Sequence, residues 1–200
     1  MRSILEQTVK KLEKTIMHVQ DKIPYVAKSH HYDDYTNHPS WWTNGFYPGI
    51  LWHMYQYTKD ENYATLAINV EKKLDPVLDG FQKVDHDAGF MWHLSSGNHY
   101  RFKGDQHARI QALKAASFLA SRYHPQGEYI RAWNGDWARG HAIIDTLMNL
   151  PLLYWASKEM QDDGFAQIAR KQADTAIKEF IREDGSVYHI VVFDEKTGKR

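Results

Sequence analysis

With 200 residues, the chain is long enough for one domain with a substantial core, or for part of a larger one. Its 25 Lys and Arg balance 25 Asp and Glu, so no net field draws it to nucleic acid or an anionic membrane. The absence of cysteine excludes disulfides, thiolate metal sites and cysteine nucleophiles, and suits a reducing compartment.

The N-terminal stretch MRSILEQTVKKLEKTIMHVQ places Leu5, Val9, Leu12, Ile16 and Val19 at helical spacing, which predicts a helix over about residues 3–20. Ser3 and Glu6 form a capping-box pattern at its start. Charges interrupt each apolar run, so the segment is not a signal peptide, and no run approaches a membrane span. A soluble, cytoplasmic protein is the expectation. KSHHYDDYTNHPS is predicted as a loop, SWWTNGFYPG leads into a helix of about 48–58, and a third helix spans about 60–79, ending at Asp79-Gly80.

DHDAGFMWHLSSG is then expected as an aromatic loop that opens a short helix, followed by a long helix over about 104–123. After the aromatic loop RAWNGDW come predicted helices of about 139–158 and 162–182, and the β-branched run SVYHIVVFD has the pattern of a short hairpin strand. Trp42, Trp92, Trp133 and Tyr188 thus mark aromatic stations roughly 40 to 55 residues apart, separated by helices. The fold class this predicts is all-α, built of repeated helical hairpins. The chain stops at FDEKTGKR without a closing helix, which leaves the stack an uncapped face.

Asp145 lies in HAIIDTLMNLPLLYWA among Ile143, Ile144, Leu147 and Met148, read here as one helix. Desolvation there would raise its pKa, as a general acid at neutral pH requires. The plainer alternative is an Asp on the polar edge of an amphipathic helix. Asp85, His86 and Asp87 allow three readings: helix caps, metal ligands, or one member of a carboxylate pair with Asp145. Adjacent residues seldom converge on one ion, so the metal reading is weak. Trp52 and Trp155 fit helical patterns and belong to the core, whereas Trp41, Trp42, Trp92, Trp133 and Trp137 accompany Gly, Asn and Asp in loops. Loop anchoring explains any one of these; several at equivalent stations suggest a sugar-binding groove. Phosphate-binding glycine loops, dinucleotide fingerprints, GxSxG and HExxH are all absent from the sequence.

Together HPSWWTNGFYPGILW, DHDAGFMW, RAWNGDWARGHAIIDTLMNLPLLYWAS and SVYHIVVFDEKTGK resemble the unsaturated glucuronyl hydrolases of glycoside hydrolase family 88, from about residue 35 onward. The resemblance implies an (α/α)6 barrel of which this chain supplies about half, residues 1–200 forming the N-terminal part of a single catalytic domain. It implies hydrolysis of 4,5-unsaturated uronic acids from lyase-generated, glycosaminoglycan-type oligosaccharides by hydration of the vinyl ether, with no metal or organic cofactor. Asp145 matches the catalytic acid/base and Asp87 the second carboxylate; Trp42, His86, Trp133 and His189 match substrate-binding positions. The related unsaturated rhamnogalacturonyl hydrolases and an inactive, sugar-binding fragment are the alternatives. An oligosaccharide is the expected partner, and a homo-oligomer burying the open face is a second one.

Overall fold

The computed structural model describes residues 2–81 and 83–200. Helix α1 (Arg2–Val19) opens the chain, and the Ser3 side chain, expected as its cap, lies outside the described residues. The segment that follows is not the loop expected from its polarity. It contains an antiparallel hairpin of β1 (Pro24–Lys28) and β2 (His31–Asp34). Ser29 and His30 make its turn at φ 47° and 66°. A two-residue hairpin turn with both residues at positive φ usually announces itself through Gly or Asn. Neither is present, so no local pattern announces the turn.

Three helical hairpins then step round a common core. Helix α2 (Phe46–Thr58) packs on α3 (Glu61–Asp79). The short α4 (Ala88–Leu94) and α5 (Ser96–Lys103) pack on α6 (Gln106–Ser121), and α7 (Leu150–Met160) packs on α8 (Gly164–Phe180). Local chemistry sets several boundaries. Asp60 accepts a hydrogen bond from Asn62 N–H at 2.9 Å and Asp105 from Ala108 N–H at 2.8 Å, satisfying amides that α3 and α6 cannot pair internally. Along α3, Ala64, Ala67, Val70, Leu74 and Leu78 form the apolar stripe that its spacing predicts. Ala108, Ala112, Ala115 and Ala116 on α6 are buried and small, which lets neighbouring backbones approach closely.

Trp52 is fully buried, as expected of a core residue. Its Nε1 donates to Glu71 Oε1 at 2.6 Å, and the other carboxylate oxygen lies 2.8 Å from His99 Nδ1. Those two contacts are what make a buried Glu71 tolerable. Trp155 is partly buried against the same core. Trp92, grouped by sequence with the loop tryptophans, is instead 1% exposed on α4 and belongs to the core.

The predicted helix of 139–158 is broken in two. Its first part is strand β5 (His141–Ile143) and a 3-10 turn over Ile144–Met148; only α7 is helical in the expected way. Gly140 at φ 73° starts the strand, and β5 pairs antiparallel with β6 (Ile190–Val192), His141 opposite Val192 and Ile143 opposite Ile190. The strand expected near the C-terminus is therefore present, with a partner some fifty residues upstream. A further two-residue ladder joins β3 (Tyr123–His124) to β4 (Tyr129–Ile130). The hairpins form an arc rather than a ring, and Tyr154, Met160 and Ile177 of the last hairpin stay exposed.

Candidate active site

The site gathers where three connections meet: the loop before α4, the loop after β4 and the turn before α7. Asp85 makes the first connection rigid, because its Oδ1 accepts from Asp87 N–H at 3.0 Å. Asp87 itself makes no cap bond to α4. Of the three sequence readings, capping therefore fails for Asp87, whose side chain is left to face other ionisable groups. Asp85 forms the turn.

His86 is 1% exposed. Its Nδ1 lies 3.0 Å from Thr146 Oγ1, while Nε2 lies 3.2 Å from Asp87 Oδ1 and 4.0 Å from Asp145 Oδ1. Burial, and secondarily the charge of Arg122, push the imidazole pKa down to about 3, so the ring is neutral. The contact with Asp87 is then not an ion pair. A neutral ring donating from Nδ1 to Thr146 presents a lone pair at Nε2, and a protonated Asp87 carboxyl can donate to it.

Asp87 fits that assignment. Burial first, then the charges of Asp85 and Asp145, push its pKa up to about 8, with Arg122 opposing. Asp85 is also shifted upward by burial. Asp145 is raised by burial as well, with His189 opposing, although its side chain is 44% exposed. Its setting is thus not the apolar helix expected: it sits in a 3-10 turn where Leu147 and Met148 are exposed. What surrounds the carboxyl is the site, since its Oδ1 is buried and has no hydrogen-bond partner among the described residues.

One atom each of His86, Asp87 and Asp145 falls within 4.8 Å of the others. That spacing would admit a cation, and Asp87 Oδ1, like that of Asp145, is buried without a hydrogen-bond partner among the described residues. The upward shift of Asp87 keeps a proton on that carboxyl: burial is its first cause, and the charges of Asp85 and then Asp145 add to it.

Two residues that sequence reasoning missed bring the carboxyls together. Thr146, fully buried, follows Asp145 and holds His86. Asn149, fully buried at the start of α7, accepts from Phe90 N–H at 2.8 Å through Oδ1. A Cβ on Gly89 would lie 2.3 Å from Asn149 Cβ, so only glycine lets the two helix starts approach this closely. The available signals were the glycine in DAGF and the polar Asn in an apolar run, and neither names its partner.

The aromatic residues fall into separate groups. Trp133 meets His86 edge-on at 6.5 Å and stacks on Trp137 at 5.6 Å. Trp42, 42% exposed, packs edge-on against Phe90 at 5.9 Å and Phe46 at 6.0 Å. Trp41 instead anchors the N-terminal hairpin through Tyr25 and Tyr35. His189 is exposed; its carbonyl accepts from Ile144 N–H at 3.1 Å, which brings the residue beside the turn of Asp145.

The model of Glycosyl Hydrolase Family 88 matches residues 8–199. The chain is 38% identical over 161 residues to an unsaturated glucuronyl hydrolase of Bacillus sp. (strain GL1), covering 78% of this chain and 43% of that protein. It is 37% identical to an unsaturated chondroitin disaccharide hydrolase of Streptococcus pneumoniae, covering 79% and 41% respectively. The crystal structure of the unsaturated glucuronyl hydrolase of Bacillus sp. GL1, described as responsible for glycosaminoglycan degradation, superposes with a TM-score of 0.86 at 34% identity, over 93% of this chain and 50% of that one. The chain therefore spans about half the length of the relatives it matches, and its arc of hairpins is about half of their (α/α)6 barrel. A family match that runs almost from end to end, on a fold that superposes this well, makes the chain a member of glycoside hydrolase family 88.

Proposed function

We propose that the protein is a hydrolase of 4,5-unsaturated uronyl oligosaccharides of glycosaminoglycan type, and that this chain carries its carboxyl pair. The observation that carries the proposal is the approach of Asp87 and Asp145 to within 4.8 Å beside a buried, neutral His86. One carboxyl holding a proton next to one that can accept it is what hydration of a vinyl ether needs.

In the reaction, a carboxyl proton adds to C4 of the unsaturated ring, and the positive charge that develops at C5 is shared with the ring oxygen. The oxygen of a water molecule then bonds to C5 as its proton passes to the carboxylate, restoring the acid. The product is a hemiketal, which opens to a ketone. The exposed hemiacetal at C1 collapses to an aldehyde and releases the neighbouring sugar as an alcohol. Asp145, reachable from solvent, takes the acid/base role. Burial favours the protonated form of Asp145, which supplies the acid, while Asp87 keeps a proton of its own at rest and as a carboxylate would stabilise charge at C5. Trp42 and Trp133 offer flat faces to sugar rings, with His86 and His189 beside the uronate. No step requires a metal or an organic cofactor. The names of the relatives favour glucuronyl over rhamnogalacturonyl substrates. A chain without cysteine suits a cytoplasmic enzyme receiving fragments already cut by lyases.

The test follows loss of the ultraviolet absorbance of the conjugated double bond when the folded chain meets unsaturated chondroitin or hyaluronan disaccharide. Loss that vanishes in Asp145→Asn supports the proposal. Saturable binding without loss would identify a sugar-binding fragment, and a preference for pectin fragments would move the protein to the rhamnogalacturonyl group.

A further inference from the structure

Arg122 ends α6, outside every motif that drew attention in the sequence. Its guanidinium donates three hydrogen bonds into the next connection: Nε to Arg131 O at 2.8 Å, Nη2 to Ala132 O at 2.9 Å and Nη1 to Asn134 Oδ1 at 2.9 Å. These acceptors lie on both sides of Trp133. In return, Arg122 O accepts from Arg131 N–H at 3.0 Å. The acceptors are themselves tied to the carboxylate loop. Ala132 O also accepts from His86 N–H at 3.2 Å, and Asn134 Nδ2 donates to Val84 O at 2.8 Å. One planar cation therefore clamps the backbone that presents Trp133 to the backbone that presents His86 and Asp87. The guanidinium reaches this position over the Phe118 ring, 5.6 Å from its centroid, and makes no ion pair among the described residues.

We infer that Arg122 is a positioning residue, which sets the Trp133 face against Asp87 by bracketing Trp133 with hydrogen bonds and supplies an uncommitted positive charge behind the carboxyls. The inference rests on the proposed function for what the placement achieves, while the clamp itself can be tested without turnover. Only a forked, planar donor can reach three acceptors at once; lysine is a single point charge. The two roles therefore separate by substitution. The groups facing Asp87 are Asp85 and His86 from its own loop, Asp145 from the turn before α7, and Arg122 from the end of α6.

The experiment compares Arg122→Lys and Arg122→Met in the full chain. Placement is read from the far-ultraviolet circular dichroism couplet of the stacked Trp133–Trp137 indoles, assigned by its loss in Trp137→Phe. The charge is read from the titration midpoint of Asp87 in protein labelled with 13C at aspartate, assigned by Asp87→Asn. Both variants should lose the couplet while keeping their helical signal. Only Arg122→Met should move the Asp87 midpoint upward, and Arg122→Lys should restore it. If turnover is present, both should raise KM for the unsaturated disaccharide by about 10-fold, because a displaced Trp133 face no longer positions the sugar ring. Should Arg122→Met fail to fold, the couplet of Arg122→Lys decides the matter. An intact couplet in a folded Arg122→Lys overturns the positioning role, and an unmoved midpoint in a folded Arg122→Met overturns the charge role. An inactive wild type with both signals behaving as stated would count against the proposed function alone.

Discussion

Asn149 Oδ1 accepts a hydrogen bond from Phe90 N–H at 2.8 Å, and its Cβ occupies the space that a side chain on Gly89 would need. This contact joins the start of α4, which follows Asp87, to the start of α7, which follows Asp145. The separation of the two carboxyls is therefore set by a pair of residues that need not touch substrate.

Gly89→Ala forces a Cβ to within 2.3 Å of Asn149 Cβ, at a buried position where neither helix start can move freely. Overpacking of this kind costs about 1–3 kcal/mol. Urea denaturation should show that loss, and turnover should fall further than stability because the carboxyls are pushed apart. A fully stable, fully active Gly89→Ala would refute the packing argument.

Thr146→Val keeps the volume beside His86 but removes the oxygen 3.0 Å from Nδ1. A buried imidazole nitrogen without a partner costs about 1–3 kcal/mol. The tautomer should also lose its preference, which nitrogen-15 chemical shifts of His86 would report. Unchanged shifts would mean that Thr146 does not hold the ring.

The pH dependence of stability separates the two buried groups. The folded-state pKa of Asp87 is raised to about 8, so its favourable proton is fully in place below the unfolded carboxylate pKa and is lost as pH rises through about 8. The pKa of His86 is lowered to about 3, so its stabilising neutrality is complete above the ordinary imidazole value of 6.5 and is lost as pH falls toward 3. Between 6.5 and 8 the Asp87 contribution stands apart from that of His86. Asp87→Asn should therefore gain stability relative to wild type as pH rises across that window. Denaturation midpoints at three pH values measure it, and a pH-independent difference would contradict the assigned shift.

Gly140→Ala tests the strand pairing. The glycine sits at φ 73°, and an added Cβ would fall 1.9 Å from Phe193 O, whose residue donates back to Gly140 O at 2.9 Å. The left-handed backbone alone costs roughly 1–2 kcal/mol for a side chain, and the overlap must open the β5–β6 pair. Amide exchange at Ala142 and Val191 should accelerate selectively. Uniform exchange with wild-type values would show that the ladder does not depend on this close approach.

Where apolar residues recur at helical spacing, the sequence sufficed. Val70 and Leu74 in α3, and Ala169 and Ala176 in α8, are buried as their periodicity requires. The stretch around Asp145 is not helical although Ile143, Ile144, Leu147 and Met148 also satisfy that period; pairing with β6 overrides it, and the partner strand lies far along the chain. The catalytic candidates Asp87 and Asp145 were legible from motif resemblance, whereas Arg122, Thr146 and Asn149 were not. Each of those three acts through a hydrogen bond to a residue distant in sequence, and no local pattern encodes such a partner.

The sequence by itself determined the helical hairpins, the family and the two candidate carboxyls, because periodicity, capping residues and motif wording are properties of neighbouring positions. Only the tertiary structure decided that the carboxyls meet over a neutral histidine, and that Asp145 stands on a turn rather than in a helix. Proximity across chain connections is a product of packing, and desolvation, which sets the proton on Asp87, exists only once that packing has excluded water.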